Sequence, residues 1–195
     1  MRYEWPRELS EKDMREMIEL MDAVAVKEQT LGFYEPLGQE KGLPFMQAFD
    51  AELRKGALDV LTVRDDADDR IVGMVTLARA PLPARRHIVD MRRCVIAPDS
   101  RGQFLLEGWS EALHHARDMG CEVITLEVRD DGPLVLWERL GFRPYGVLPD
   151  YARVDGREPV TGHYLYARIA DILAHFEATG TWLYEPQSES VAVAS

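Results

Sequence analysis

Cysteine is nearly absent from this chain: two residues in 195, Cys94 and Cys121, both in apolar segments and neither in a metal-ligand spacing. That excludes a disulfide-stapled scaffold and a cysteine zinc cluster, and the pair reads as buried, reduced thiols. Long apolar runs are missing too. No stretch approaches the ~20 residues that cross a bilayer, so no membrane partner is expected. The opening residues, Met1-Arg2-Tyr3-Glu4-Trp5-Pro6, lack the apolar centre of a secretion signal, and a cytoplasmic location is expected. Positive charge is short as well: 23 Lys and Arg against 34 Asp and Glu give a net charge of −11. Nucleic acid attracts basic surfaces and is not an expected partner. An acidic surface suits a cationic or amine ligand, and equally suits plain solubility. The acidic run Asp65-Asp66-Ala67-Asp68-Asp69 lacks the spaced ligands and distal glutamate of a calcium loop. It reads as a solvated turn, and no metal is expected.

What is present is the composition of an ordinary globular domain, 46% hydrophobic and 29% charged, at a length that suits one core. Residues 11–29 place Met14, Met17, Ile18, Met21, Val24 and Ala25 on one helical stripe, with Ser10 and Asp13 as a capping pair before it. Residues 30–44 hold three glycines and two prolines and read as a loop, and residues 45–55 form a second helix stopped by Gly56. Residues 58–64 and the nearly all-apolar 71–80 flank the acidic turn as a hairpin. A strand over 88–96, an amphipathic helix from Leu105 to Gly120 and a strand over 123–128 follow. Next come a short helix over 133–140 with Asp131 as its N-cap, strands over 142–148 and 162–169, and a helix over 170–178. Residues 1–180 therefore read as a single domain. Residues 181–195 read as a flexible C-terminal tail unless Trp182, Leu183 and Tyr184 anchor it. The order makes an α/β chain with a mixed sheet: antiparallel leading strands, then a parallel pair joined by the central helix.

The junction inside that parallel pair carries the chemistry. Ile96-Ala97-Pro98-Asp99-Ser100-Arg101-Gly102-Gln103 ends a strand, turns and opens a helix. A helix N-terminus offers unpaired N–H groups and the positive end of a dipole, which suits a phosphate. Downstream, Leu126-Glu127-Val128-Arg129 is followed by Trp137-Glu138-Arg139-Leu140-Gly141-Phe142. In this order and at this distance, the two segments resemble the acetyl-CoA site of the GCN5-related N-acetyltransferases, the GNAT family, across roughly residues 58–169. The resemblance implies a central mixed sheet, flanked by helices, that splays where the strands over 88–96 and 123–128 part. It implies acetyl-CoA, or another acyl-CoA, as co-substrate. Pantetheine would lie in the opening against the backbone of Val95 and Ile96. The pyrophosphate would sit on the N–H groups of Gly102, Gln103, Phe104 and Leu105, with Arg101 adding charge.

The resemblance has three departures. Phe104 and Leu106 stand where the family usually carries glycine or another small residue. A Phe104 ring turned into the helix mouth would obstruct a phosphate, whereas a ring packed on the sheet would leave the N–H groups usable. Trp137 stands where the family commonly has a tyrosine that protonates the leaving thiolate, and an indole is no acid near neutral pH. The segment between Val128 and Trp137 is short, with Asp130, Asp131 and Gly132 in place of an asparagine.

Acyl transfer to an amine needs a neutral nucleophile, a held carbonyl and a place for a proton. Asp90 resembles the position of the catalytic glutamate in histone-type members, and strand alternation sets it on one face with Arg92, Cys94 and Ile96. It reads either as the general base or as an ion pair with Arg92 or Arg86. Tyr145 and Tyr151 are the candidate acids in place of the missing hydroxyl, with structural roles as the alternative. Cys94 as an acyl carrier would need an activating base that the sequence does not place. His163 opens a strand that borders the cleft in such folds. The expected acceptor is a small-molecule amine; the contents of the N-terminal helices and of the loops over 30–44 and 151–162, Phe33, Tyr34, Phe45, Tyr151, Arg153 and Arg157, suggest no more than an aromatic-lined cleft, and a homodimer is an open expectation. Two other readings stay open: a GNAT-fold binding or regulatory module without transferase activity, and an acyltransferase that uses a different acyl-CoA.

Overall fold

The computed structural model describes residues 1–28, 31, 35–153 and 158–185. Its elements run β1 (Arg2–Glu4), α1 (Glu11–Glu28), α2 (Gly38–Arg54), β2 (Leu58–Arg64), β3 (Ile71–Arg79), β4 (Ile88–Ile96), α3 (Leu105–Asp118) and β5 (Val123–Arg129). They close with α4 (Leu134–Arg139), β6 (Arg143–Ala152), β7 (Val160–Arg168) and α5 (Ile169–Thr179). The strands form one sheet of seven in the order β1-β2-β3-β4-β5-β7-β6. The β4–β5 pair is parallel and every other neighbour antiparallel, as the element order requires.

The apolar stripe of α1 is buried as its spacing predicts, with Met17, Ile18 and Met21 sealed from solvent. Its cap is reciprocal: the Asp13 N–H donates to Ser10 Oγ at 3.1 Å, and the Ser10 N–H donates to the Asp13 carboxylate at 2.8 Å. Helix α2 begins seven residues earlier than the expected 45, and the glycines and prolines of that stretch mislead for identifiable reasons. The N–H groups of Leu37 and Gly38 donate to the Asp22 carboxylate on α1 at 2.7 and 2.9 Å, which fixes the start. Gly42 is a contact glycine, since a Cβ there would lie 2.8 Å from Ile18. Pro44 sits inside the helix and forfeits one backbone bond there. The short β1 was not anticipated; it adds an edge by pairing with β2.

Strands β2 and β3 are buried on both faces, and named contacts show what covers each. His115 of α3 reaches Asp59 and the Phe104 ring meets Gly73, so α3 lies on the face of Asp59, Leu61, Val63 and Gly73. Arg64 reaches α1 on the other face. Its side chain is 8% exposed and meets Glu4 at 3.2 Å, Glu16 at 2.9 Å, the Asp69 carbonyl at 2.7 Å, and Asp13. One buried cation thus ties β1, β2, α1 and the acidic turn together. Asp131, expected to cap the helix over 133–140, instead pairs with Arg129 at 2.6 Å, and α4 starts without a side-chain cap. The chain past Gly180 stays on the domain through Glu185: Trp182 stacks on Phe176 at 4.0 Å and Tyr184 on His175 at 3.8 Å. The rest of the expected tail lies outside the described residues.

Removing one partner of a buried ion network leaves uncompensated charge, so Arg64→Met should lower the unfolding free energy by about 3–5 kcal/mol. Urea unfolding of the two proteins measures this. A loss below about 1 kcal/mol, the range of an exposed pair, would contradict it.

Candidate active site

The sheet opens between β4 and β5. Their register holds for three rungs, Ile88 with Val123, Val89 with Ile124 and Asp90 with Thr125, and then ends. Beyond Asp90, β4 keeps only β3 as a neighbour, and β5 is held on its far side by β7 through Arg129. Among the described residues, the β4 backbone edge facing the gap has no strand partner, and its polar groups call for one. The bend comes from a bulge: Arg93 has a left-handed φ of 49°, and the register against β3 slips between Met74 and Thr76. This corrects the expected alternation. Asp90, Arg92 and Val95 lie opposite Ala78, Thr76 and Met74 on one face, while Ile96 lies opposite Gly73 on the other. The inserted residue flips everything after it.

On the α3 face, the turn after β4 is tightly braced. The Ala97 N–H donates to the Val72 carbonyl at 2.8 Å, the Ser100 N–H to the Ala97 carbonyl at 2.9 Å, and Gln103 Nε2 to the Asp99 carbonyl at 3.2 Å. Arg70 adds an ion pair to Asp99 at 3.1 Å. Gly102 takes φ 77°, a conformation side chains resist, and nothing crowds its Cα. The Gln103 N–H is partly occupied by the Ser100 carbonyl at 3.4 Å, and the first α3 bond is Gly108 N–H to Phe104 carbonyl. The N–H groups of Leu105, Leu106 and Glu107 therefore have no intrahelical acceptor. The Phe104 ring points into the core: it is 3% exposed, and a Cβ on Gly73 would come within 2.6 Å of it. The mouth of α3 is clear of the ring.

Beside that mouth lies an apolar cleft with about 410 Å³ of empty space, including its open part. Val95, Ile96, Leu105, Trp109 and Trp137 line it, with Leu61, Val75 and Met91 at its floor. Trp137 is buried, edge-on to Trp109 at 6.3 Å and to Phe142 at 5.7 Å. It forms the wall of the cleft. Trp109 Nε1 is a buried donor without an acceptor, a signal invisible in the sequence.

The opposite face carries the titratable groups. Asp90 accepts from Arg92 Nε at 2.6 Å and from the Thr125 hydroxyl at 3.1 Å, so the expected ion pair with Arg92 exists. Glu127, quoted in the sequence only as part of a motif, accepts the Tyr151 hydroxyl at 2.8 Å. Tyr145 lies among Tyr164 and Tyr166 with ring centroids 6.1 Å from each, and Tyr151 stands edge-on to Tyr164 at 6.3 Å. Burial, then the hydrogen bond and charge of Glu127, push the Tyr151 phenol up to about 12. Burial first, then Asp90 and Glu127, raise the Tyr145 phenol as well. His163 pairs with Val128 and Val147 within the sheet. Arg101 and Arg153 each have an interaction partner, while Phe33, Tyr34 and Arg157 lie outside the described residues.

Cys94 is exposed by surface area, yet protein crowds its sulfur closely, as befits a thiol on a cleft floor; that desolvation pushes it up to about 12. The thiol therefore stays protonated at neutral pH. Among the described residues, no group of three or more His, Cys, Asp or Glu is placed to hold a metal ion. Gly73→Ala should destabilise the protein by about 1–3 kcal/mol through collision with the Phe104 ring, and adding Phe104→Leu should restore part of it. Urea unfolding of the single and double variants decides this, and equal stability of Gly73→Ala and the parent would refute the packing.

Comparison with known proteins agrees with this geometry. Residues 23–142, more than half of the chain, match the profile of the Acetyltransferase (GNAT) family. No functionally curated protein matches the sequence significantly. Among solved structures, a ribosomal-protein-alanine N-acetyltransferase from Brucella melitensis shares 17% identity at a TM-score of 0.68, covering 86% of this chain and 99% of that one. A variant of a spermidine N-acetyltransferase from Vibrio cholerae shares 19% at 0.68, covering 88% and 96%. A Salmonella typhimurium structure described with its cofactor acetyl-CoA shares 14% at 0.67, covering 87% and 94%. At such identities the likeness shows the fold. With the family match, the splayed sheet and the open helix mouth, the chain belongs to the GNAT acetyltransferase family.

Proposed function

We propose that this protein transfers an acyl group, acetyl in the first instance, from an acyl-CoA to a small amine by direct attack across the splay. The observation that carries the reading is the Phe104 ring packed on Gly73, which leaves the α3 mouth open despite the missing glycine. The residues fit the co-substrate. Unpaired N–H groups at Leu105 to Glu107, together with Gly102 and Arg101, suit a pyrophosphate. The unpaired β4 edge at Val95 and Ile96 suits the amides of pantetheine. The apolar cleft walled by Trp137 suits its methylated arm. Bound there, the co-substrate supplies an activated thioester carbonyl.

The chain's own groups do the rest. Asp90 stands at the last paired rung on the opposite face, and we assign it to receive the proton lost by the attacking amine, directly or through one water. Arg92 holds it in place, and Thr125 fixes the second carboxylate oxygen. Tyr151 is committed to Glu127, so Tyr145 is the phenol assigned to protonate the thiolate. Protonated Cys94 takes no part as a nucleophile.

A ligand at 100 times its dissociation constant stabilises a protein by about 2.7 kcal/mol, so acetyl-CoA at that excess should raise the melting temperature, and an amine panel should release free CoA. No shift with acetyl-CoA or any longer acyl-CoA would refute the reading, and a shift without thiol release would favour a binding module. Asp90→Asn should cut kcat/KM by about 10²–10⁴-fold, and an unchanged pH–rate profile would remove Asp90 as base. Cys94→Ala should cost less than about tenfold, and intact-mass detection of an acylated Cys94 would overturn direct attack.

A further inference from the structure

The least satisfied charge of this site is Arg93. Its guanidinium is half-buried at the bulge of β4, three residues beyond the last rung shared with β5. It lies 5.3 Å from the centroid of the Phe45 ring on α2, so it projects to the face opposite α3, where an acceptor has to enter. Among the described residues no carboxylate and no hydrogen-bond acceptor meets it. Asp90, the nearest acid along β4, is committed to Arg92 and Thr125. Arg64, the other deeply placed arginine of this sheet, has three carboxylates around it. Burial lowers the Arg93 pKa and the neighbouring Arg92 lowers it further, the signature of a cation short of a counter-charge.

A guanidinium stays charged at any working pH, and a desolvated charge without a partner is costly. The Phe45 ring meets the cation with its face and accepts no N–H hydrogen bond in the guanidinium plane, which leaves the fork of five N–H donors, the geometry that matches a carboxylate or similar oxyanion. The same sheet face carries Asp90, Glu127 and the tyrosines, which suit an amine. We infer that the acceptor amine also bears an anionic oxygen group, such as a carboxylate, and that Arg93 binds it. This rests on the acyl-transfer reading above. Arg93 is then a specificity residue: it selects zwitterionic amines over simple polyamines and holds the nucleophilic nitrogen toward Asp90.

The test is a matched panel: standard α-amino acids and the amines left when their carboxylate is removed, assayed for CoA release and titrated calorimetrically onto the acyl-CoA-loaded protein. Carboxylate-bearing members of the panel should have at least tenfold higher kcat/KM in the wild type. Arg93→Met should erase that advantage, weakening their binding by about 10- to 150-fold while acetyl-CoA affinity holds, and Arg93→Lys should keep part of it. Equal use of both sets by the wild type, or an unchanged preference in Arg93→Met, overturns the assignment and leaves acyl transfer standing. Failure of every acyl-CoA to bind overturns the acyl-transfer reading, and this inference falls with it.

Discussion

Everything in this molecule depends on three backbone rungs and their abrupt end. Parallel strands joined through a helix normally pair along their full length, because an unpaired N–H or C=O away from water costs about as much as a lost hydrogen bond. Here β4 and β5 pair from Ile88 to Asp90 and then separate. The gap persists because each arm is held by its outer neighbour: β4 against β3, and β5 against β7 over seven residues. Arg93 supplies the bend by inserting one left-handed residue. Among the described residues, the fold therefore keeps a β4 edge without a strand partner in its centre, and a ligand with amide groups of its own could close it.

The helix mouth shows how such a site tolerates a change of side chain. The phosphate recognition proposed at α3 would use backbone N–H groups, and those are indifferent to which side chain follows them. What matters is where the side chain goes. Phe104 goes inward and occupies the space above Gly73, so a large residue on the helix cap is matched by the smallest residue on the strand.

The element order and the mixed sheet were legible because periodicity reports on burial and turns, while the location of the opening was legible only through the family resemblance that two spaced motifs carry. The face of each residue on β4 was not. Alternation assumes one residue per rung, and a bulge at Arg93 carries no compositional mark when the residue is arginine rather than glycine. Gly42 and Pro44 looked like loop punctuation because their real reason, close approach to Ile18 and a helix start fixed by Asp22, is tertiary. Glu127 carries no mark in the sequence beyond its place in a motif, since its partner Tyr151 lies two strands away across the sheet. The tail residues Trp182 and Tyr184 were visible as aromatics, but their stacking partners on α5 were not.

Charge separates the two scales most sharply. A net −11 invites the expectation of a cationic ligand, and for the approach of a ligand from solution that reasoning holds. At the site it loses force. Surface charges beyond a Debye length of about 8 Å are largely screened at physiological salt, whereas a half-buried group is screened far less. On the acyl-transfer reading, the charged groups that would face an acceptor are few: Asp90 with its partner Arg92, Glu127 with Tyr151, and Arg93, which meets the Phe45 ring but no carboxylate among the described residues. Composition describes the field in which a ligand drifts; on the inference drawn above, Arg93 at the bulge sets what the site holds. The two signs conflict only if the acceptor has a single charge, and a zwitterion satisfies both.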